Sequence, residues 1–211
     1  MKILNTMKNE FEEIRKNKYF KYIVAFGIIK KVILLFMILV PLLSFSQELV
    51  IGEERVEPGI VLIFEGAIKD VIEPKSNNLS IEETNVHIEA RVNWDSNNIP
   101  DGTPSGGFIP YLKISSTVLN EKTGLKTFID LTPHINLIDN FHYARNISLP
   151  GEIDDLYTVE FKINAPHQFD LAFHKDWMEK FGKGLFKNTS FKYENVDFEE
   201  IAKANSCLLY T

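Results

Sequence analysis

Apolar side chains recur at every second position through much of the chain from about residue 60 onward, and this period of two most constrains the fold. In residues 156–163 the apolar series is Tyr157, Val159, Phe161 and Ile163. Comparable segments are residues 60–71, 86–94, 111–119, 125–131, 142–149 and 190–194. Because a β-strand sends successive side chains to opposite faces, about seven short strands separated by turn residues predict an all-β antiparallel β-sandwich with Greek-key connections.

The rest of the predicted domain shows less regular alternation of apolar and polar residues. Residues 166–188 show no alternation, and we predict a short helical turn around residues 177–181. We interpret the acidic residues 195–205 as a solvated tail rather than a short helix. The hydrophobic core is predicted to rest on Ile88, Val92, Trp94, Leu112, Ile114, Tyr157, Val159 and Phe161.

The N-terminal region is typical of an export signal. Residues 32–45 form an unbroken apolar run that follows Lys30 and Lys31 and ends in the small-x-small sequence Ser44-Phe45-Ser46. The run is shorter than the roughly 20 residues of a membrane-spanning helix. We therefore predict a cleaved signal peptide over residues 1–46 and a periplasmic protein; the alternative is an uncleaved membrane tether.

Removing that segment leaves an acidic domain. Residues 1–46 hold 8 Lys+Arg and 3 Asp+Glu, out of 23 and 29 in the whole chain. Such a surface attracts cations and repels phosphate backbones, which argues against nucleic acid as a partner. The lone cysteine, Cys207, allows no internal disulfide.

We divide the chain into the signal segment (1–46), a β-sandwich domain (47–195) and a tail (196–211). The tail ends in Cys-Leu-Leu-Tyr-Thr, the peptide that a common sequencing adapter would encode. We hypothesise that these last residues are an artefact, and ordinary genomic codons over residues 206–211 would contradict this.

The sequence contains no phosphate-binding glycine loop, no Gly-x-Ser-x-Gly and no His-Glu-x-x-His, so we predict that the protein is not an enzyme. Its candidate functional side chains are histidines, of which there are five: His87, His134, His142, His167 and His174. Imidazole suits copper, zinc and iron, and a carboxylate beside it favours iron or manganese.

His87 and Glu89 are two residues apart on one predicted strand, so they leave the same face, opposite the apolar Ile88. Taken alone, such a pair is more often solvated than functional. His142 lies between two aromatic residues that point the other way, which also places its imidazole away from the core. His134 follows Pro133 in a predicted loop, and His174 lies in the irregular segment near Trp177.

Four stretches resemble one known family, the periplasmic iron-transport proteins or Fe2+ transport proteins. They are DVIEP (70–74), NVHIEARVNW (85–94), GGFIPYLKISSTVLNEKTG (106–124) and DNFHYARNISLPG (139–151). The resemblance implies a soluble, dimeric, Ig-like sandwich that binds copper and iron and works beside a high-affinity iron permease of the inner membrane.

Matched residue by residue, the resemblance assigns the family's metal ligands to His87, Glu89, His142 and His174. The family's methionine corresponds to His134, with one extra residue before His142. Replacing a thioether with an imidazole should weaken the preference for Cu(I) and favour Cu(II), Zn(II) or Fe(II). His167 has no counterpart in the family.

The leading hypothesis is therefore a periplasmic protein for high-affinity iron uptake that binds copper and iron through clustered histidines and Glu89. Two alternatives stay open. One is a copper or zinc chaperone or buffer that is not coupled to iron uptake. The other is an Ig-like interaction module in which the histidines are incidental.

Overall fold

The computed structural model describes residues 7, 8, 10, 12, 13, 30, 48–137 and 140–204. The chain divides into two compact units, Met1–Ser46 and Gln47–Thr211. In the first unit the described residues are helical. The predicted signal run, residues 32–45, and the terminal residues 207–211 lie outside the described residues. Among those described, no helix is both long and apolar enough to span a bilayer.

The second unit is built almost wholly from antiparallel β-strands. These are β1 (Glu48–Val56), β2 (Ile60–Ala67), β3 (Val86–Trp94), β4 (Lys113–Asn120), β5 (Lys126–Asn136), β6 (Asn140–Ile147), β7 (Leu156–Asn164) and β8 (Thr189–Asp197). Two short helices are α1 (Lys175–Phe181) and α2 (Glu199–Lys203). The seven strands predicted from alternation and the helical turn near Trp177 are confirmed. Strand β1 was not predicted.

The strands follow the order β1-β2-β3-β6-β5-β4-β7-β8. Strand β5 pairs with β4 through residues 126–131 and with β6 through residues 132–136, so it passes from one half of the sheet to the other. The two edge strands lie close together, as a hydrogen bond between them shows. The Tyr193 hydroxyl on β8 donates it to Glu54 Oε1 on β1 at 3.0 Å. A Cβ added to Gly52 would lie 2.3 Å from the Tyr193 ring, so glycine at this position makes room for that ring. The sheet is thus nearly closed, like a barrel.

The predicted core is confirmed. All of its members are buried, and Phe64 of β2 stacks on Phe161 of β7 with ring centroids 4.2 Å apart. These two strands lie on opposite sides of the point where β5 changes partners. The contact therefore joins the two halves of the sheet through apolar side chains.

Strand β3 is buried on both faces. Its alternation places Ile88, Ala90 and Val92 in the core, as predicted, and His87 and Glu89 on the other face. That second face is not solvated, since His87 is 5% and Glu89 4% exposed. Residues 68–85, which we call the cover segment, lie against it: the carbonyl oxygens of Asp70 and Leu79 accept hydrogen bonds from Asn146 on β6.

The interpretation of residues 195–205 as a solvated tail was wrong for its first part. Helix α2 forms there, Phe198 is fully buried and Ile201 is 3% exposed. The Phe198 ring packs 5.7 Å from that of Tyr157. Phe198, at the N-cap, and Ile201, on the helix, both face the core, and this packing rather than helix propensity stabilises so short an element.

Candidate metal centre

Three neighbouring strands place the polar side chains of the candidate site. Antiparallel partners share one face of a sheet. His87 on β3 is opposite Asn146 on β6, and His142 on β6 is opposite His134 on β5. Between them Glu89 is opposite Ala144, whose small side chain leaves room on this face. His134 was predicted in a loop but lies within β5, and this placement brings it beside His142.

The three histidines converge. One nitrogen from each of His87, His134 and His142 lies within 4.8 Å of the others. Their ring centroids are 5.4 Å apart for His87 and His134, 5.9 Å for His134 and His142, and 6.2 Å for His87 and His142. His142 is only 2% exposed, whereas His134 is partly exposed.

The Glu89 carboxylate borders the same space. Its Oε1 lies 3.6 Å from Nε2 of His87 and 4.0 Å from Nε2 of His142. A carboxylate oxygen and a neutral imidazole nitrogen both offer electron pairs, so a proton or a metal ion placed among these atoms would be stabilised. Glu89 therefore borders the histidine group.

The donor set fits a divalent metal ion. Two imidazole nitrogens bonded to one ion at about 2.1 Å lie at most about 4.2 Å apart. In the tetrahedral arrangement usual for such sites the nitrogens lie about 3.4 Å apart, so the widest pair, at up to 4.8 Å, would have to contract by about 1.4 Å through side-chain rotation. Three borderline nitrogen donors with an anionic oxygen nearby suit copper, zinc or iron.

The surroundings of His134 strongly lower its pKa. Burial, together with the positive charges that His87, His142 and Arg145 can carry, lowers its pKa from 6.5 to about 4. Its Nε2 is 3.2 Å from the Thr132 hydroxyl. The ring is therefore neutral, the form that binds metal, throughout the neutral pH range.

This shift predicts how the metal-free protein responds to acid. The pKa of His134 is about 4 in the fold, against 6.5 in a model peptide, so between these values the unfolded chain binds more protons. Stability is then full above pH 6.5 and falls as the pH drops towards 4. We expect His134→Gln to flatten this decline in urea unfolding curves recorded with a chelator. If the free energies of unfolding of variant and wild type fall by the same amount between pH 6.5 and 4, the prediction is wrong.

The other two histidines lie elsewhere. His174 is exposed at the N-terminus of α1 and lines an apolar cavity of about 310 Å³ with Trp94 and Trp177. It is not in the histidine group of the described residues. His167 is exposed, with its ring 4.9 Å from that of Phe169.

Sequence reasoning missed three residues of this face. Asn146 hydrogen-bonds His87 at 2.7 Å, and Glu65, which is 1% exposed, pairs with Arg91 at 2.7 Å. The signal for Glu65 was a single acid inside the apolar run of β2, IVLIFEGA. Burying a charged side chain costs free energy unless it is paired, so an acid in such a run predicts a basic partner on a neighbouring strand.

With the geometry established, comparison with known proteins identifies the family. A sequence model described as Fe2+ transport protein matches residues 45–199, more than half of the chain. The chain belongs to the Fe2+ transport protein family. The resemblance noted in the four sequence stretches is thereby confirmed. No curated protein sequence matches the chain.

Solved structures agree with this family assignment. FetP from uropathogenic E. coli strain F11 is 25% identical with a TM-score of 0.58, over 72% of this chain and 96% of that chain. A copper-bound FetP variant is 26% identical with a TM-score of 0.56, over 70% and 95%. Copper-reconstituted P19 from Campylobacter jejuni, 24% identical with a TM-score of 0.58 over 70% and 94%, shares the fold.

Proposed function

We propose that this member of the Fe2+ transport protein family is a periplasmic metal-binding protein of high-affinity iron uptake. It binds copper and ferrous or ferric iron through His87, His134 and His142, with Glu89 at the rim. The observation that carries the proposal is the convergence of three imidazoles within 4.8 Å. Each comes from a different strand, so their convergence depends on the fold. We assign the protein no catalytic role.

The relatives support copper as one of the ions. The copper-bound FetP variant is 26% identical to this chain, and FetP has been produced in the periplasm. In this chain the described donors are nitrogen and oxygen only, because His134 stands where the family resemblance places a methionine. Cu(II), Zn(II) and Fe(II) should therefore bind more tightly than Cu(I). The inner-membrane iron permease is the partner that we propose for iron transfer.

The strand order supports an Ig-like topology with Greek-key connections. Strands β4, β5 and β6 are neighbours in sequence and in space, and β7 returns to pair with β4. The spatial order β7-β4-β5-β6 matches the pattern of a Greek key, in which the fourth strand lies beside the first.

We propose that the protein is a homodimer and that His174 completes the metal site from a second chain. His174 is exposed and stands apart from the three clustered histidines of its own chain. A role as ligand therefore requires a second copy to present it. Sedimentation of wild type and His174→Ala, with and without Cu(II), gives the oligomeric state. Titration of both proteins with Cu(II) gives the affinity. A monomer whose copper affinity is unchanged by the substitution would overturn them.

The proposed function is tested by titrating the purified domain with Cu(II), Fe(II), Mn(II) and Zn(II), with Glu89→Gln measured in parallel. We expect wild type to bind copper and iron, and Glu89→Gln to lose iron while retaining copper, because the carboxylate is the hard donor. Glu179→Gln on the exposed surface of α1 is the matched control and should behave as wild type. Binding of copper or zinc but not iron by wild type would favour the uncoupled buffer, and binding of none would overturn the proposal.

A further inference from the structure

Asn146 connects a proposed metal ligand to the cover segment. It lies on β6 opposite His87 and is 2% exposed. Its Oδ1 is 2.7 Å from Nδ1 of His87. Its Nδ2 donates to the carbonyl oxygen of Asp70 at 2.9 Å and to that of Leu79 at 3.3 Å. One buried carboxamide thus contacts the site and two separate points of the cover segment.

These contacts fix the direction of the amide. A backbone carbonyl oxygen can only accept hydrogen bonds, so the NH2 end of Asn146 must face Asp70 and Leu79. The oxygen end then faces His87, and because that oxygen also only accepts, Nδ1 of His87 must carry the hydrogen. In the neutral imidazole the electron pair is therefore on Nε2.

The same geometry aims Nε2 into the site. Nε2 of His87 is the atom that lies 3.6 Å from Oε1 of Glu89. A hydrogen bond at one ring nitrogen decides which nitrogen is free to bind a metal ion. Here that hydrogen bond depends on an amide held by the cover segment, so the position of the cover segment and the orientation of the ligand are linked.

We propose that Asn146 is a positioning residue that holds His87 as its Nδ1–H tautomer, presents Nε2 to the metal ion, and makes this state depend on the closed cover segment. The part that concerns metal rests on the proposed function. The tautomer and its link to the cover segment are properties of the metal-free protein and can be measured there.

The direct test is long-range 1H–15N NMR of the metal-free domain at a pH where His87 is neutral, together with Cu(II) affinities. Wild type should show hydrogen on Nδ1. Asn146→Leu, which removes both sets of hydrogen bonds, should mix the tautomers and weaken copper binding about 10- to 100-fold, the range for losing such a partner. Asn146→Asp keeps an acceptor for His87 but sets a carboxylate against two carbonyl oxygens. It should keep the tautomer and speed hydrogen exchange in residues 68–85.

Asn85→Ala is the matched control. Asn85 accepts a hydrogen bond from Leu149 N at 2.9 Å, at the end of the same segment, and its described side-chain hydrogen bonds do not reach His87. This variant should keep both tautomer and affinity. Hydrogen on Nε2 in wild type, or an unchanged tautomer and affinity in Asn146→Leu, would overturn the inference. Failure of wild type to bind metal despite an Nδ1–H His87 would instead overturn the proposed function.

Discussion

Replacing His142 with alanine should weaken Cu(II) binding by at least about 100-fold. Losing a residue that only hydrogen-bonds a metal ligand costs up to about 100-fold in affinity, and His142 is itself a proposed ligand. His142 is 2% exposed, with His134 directly opposite and Glu89 4.0 Å away. No other described histidine lies close enough to take its place. Competition with a chelator of known affinity measures the loss.

Two companion variants separate lost ligation from lost folding. His142→Gln fills the space with a side chain that is a poor copper ligand, so it should lose affinity while keeping the unfolding midpoint near that of wild type. His167→Ala removes an exposed imidazole outside the group and should bind copper normally. If His142→Ala and His142→Gln both bind copper like wild type, the three-histidine site is wrong.

The sequence predicted much of the sheet, since alternation marks strands that bury one face. It missed β1 for a physical reason. Glu48–Val56 is an edge strand with a register shift between Val50 and Gly52, and a bulge breaks the period of two. A strand with a bulge and little burial leaves no clear alternation in the sequence.

The candidate site was only partly predictable. Alternation placed His87 and Glu89 on one face, but only the family resemblance grouped them with His142 and His134. The cover segment is rich in turn residues and poor in apolar ones, so its sequence did not show that it lies against that face. The contact of that segment with Asn146 is tertiary, and local sequence pattern does not encode it.

The second large effect that we expect concerns Arg91. Glu65 on β2 is directly opposite Glu89 on β3, so two carboxylates share the buried face. Like charges at opposed positions destabilise a sheet. The Arg91 guanidinium offsets this, with Nη2 2.7 Å from Oε1 of Glu65 and 4.0 Å from Oε2 of Glu48. Arg91 is therefore the described cation that pairs with the buried Glu65.

Arg91→Ala should lower the free energy of unfolding by about 3 kcal/mol, because it removes the 2.7 Å ion-pair partner of a carboxylate that is only 1% exposed. The figure is the low end for such pairs, since the Arg91 side chain is 31% exposed. Urea unfolding at pH 7 with a chelator measures it. Arg55→Ala breaks an exposed pair with Glu53 at 2.8 Å and should leave the midpoint unchanged.

The double variant Glu65→Leu with Arg91→Ala decides whether charge is the cause. Removing both members of a buried ion pair is often neutral or stabilising, because neither charge then has to be desolvated. We expect the double variant to recover most of the stability that Arg91→Ala loses. If it is as unstable as the single variant, then Arg91 contributes by packing its aliphatic stem, and the neighbouring carboxylates tolerate each other without it.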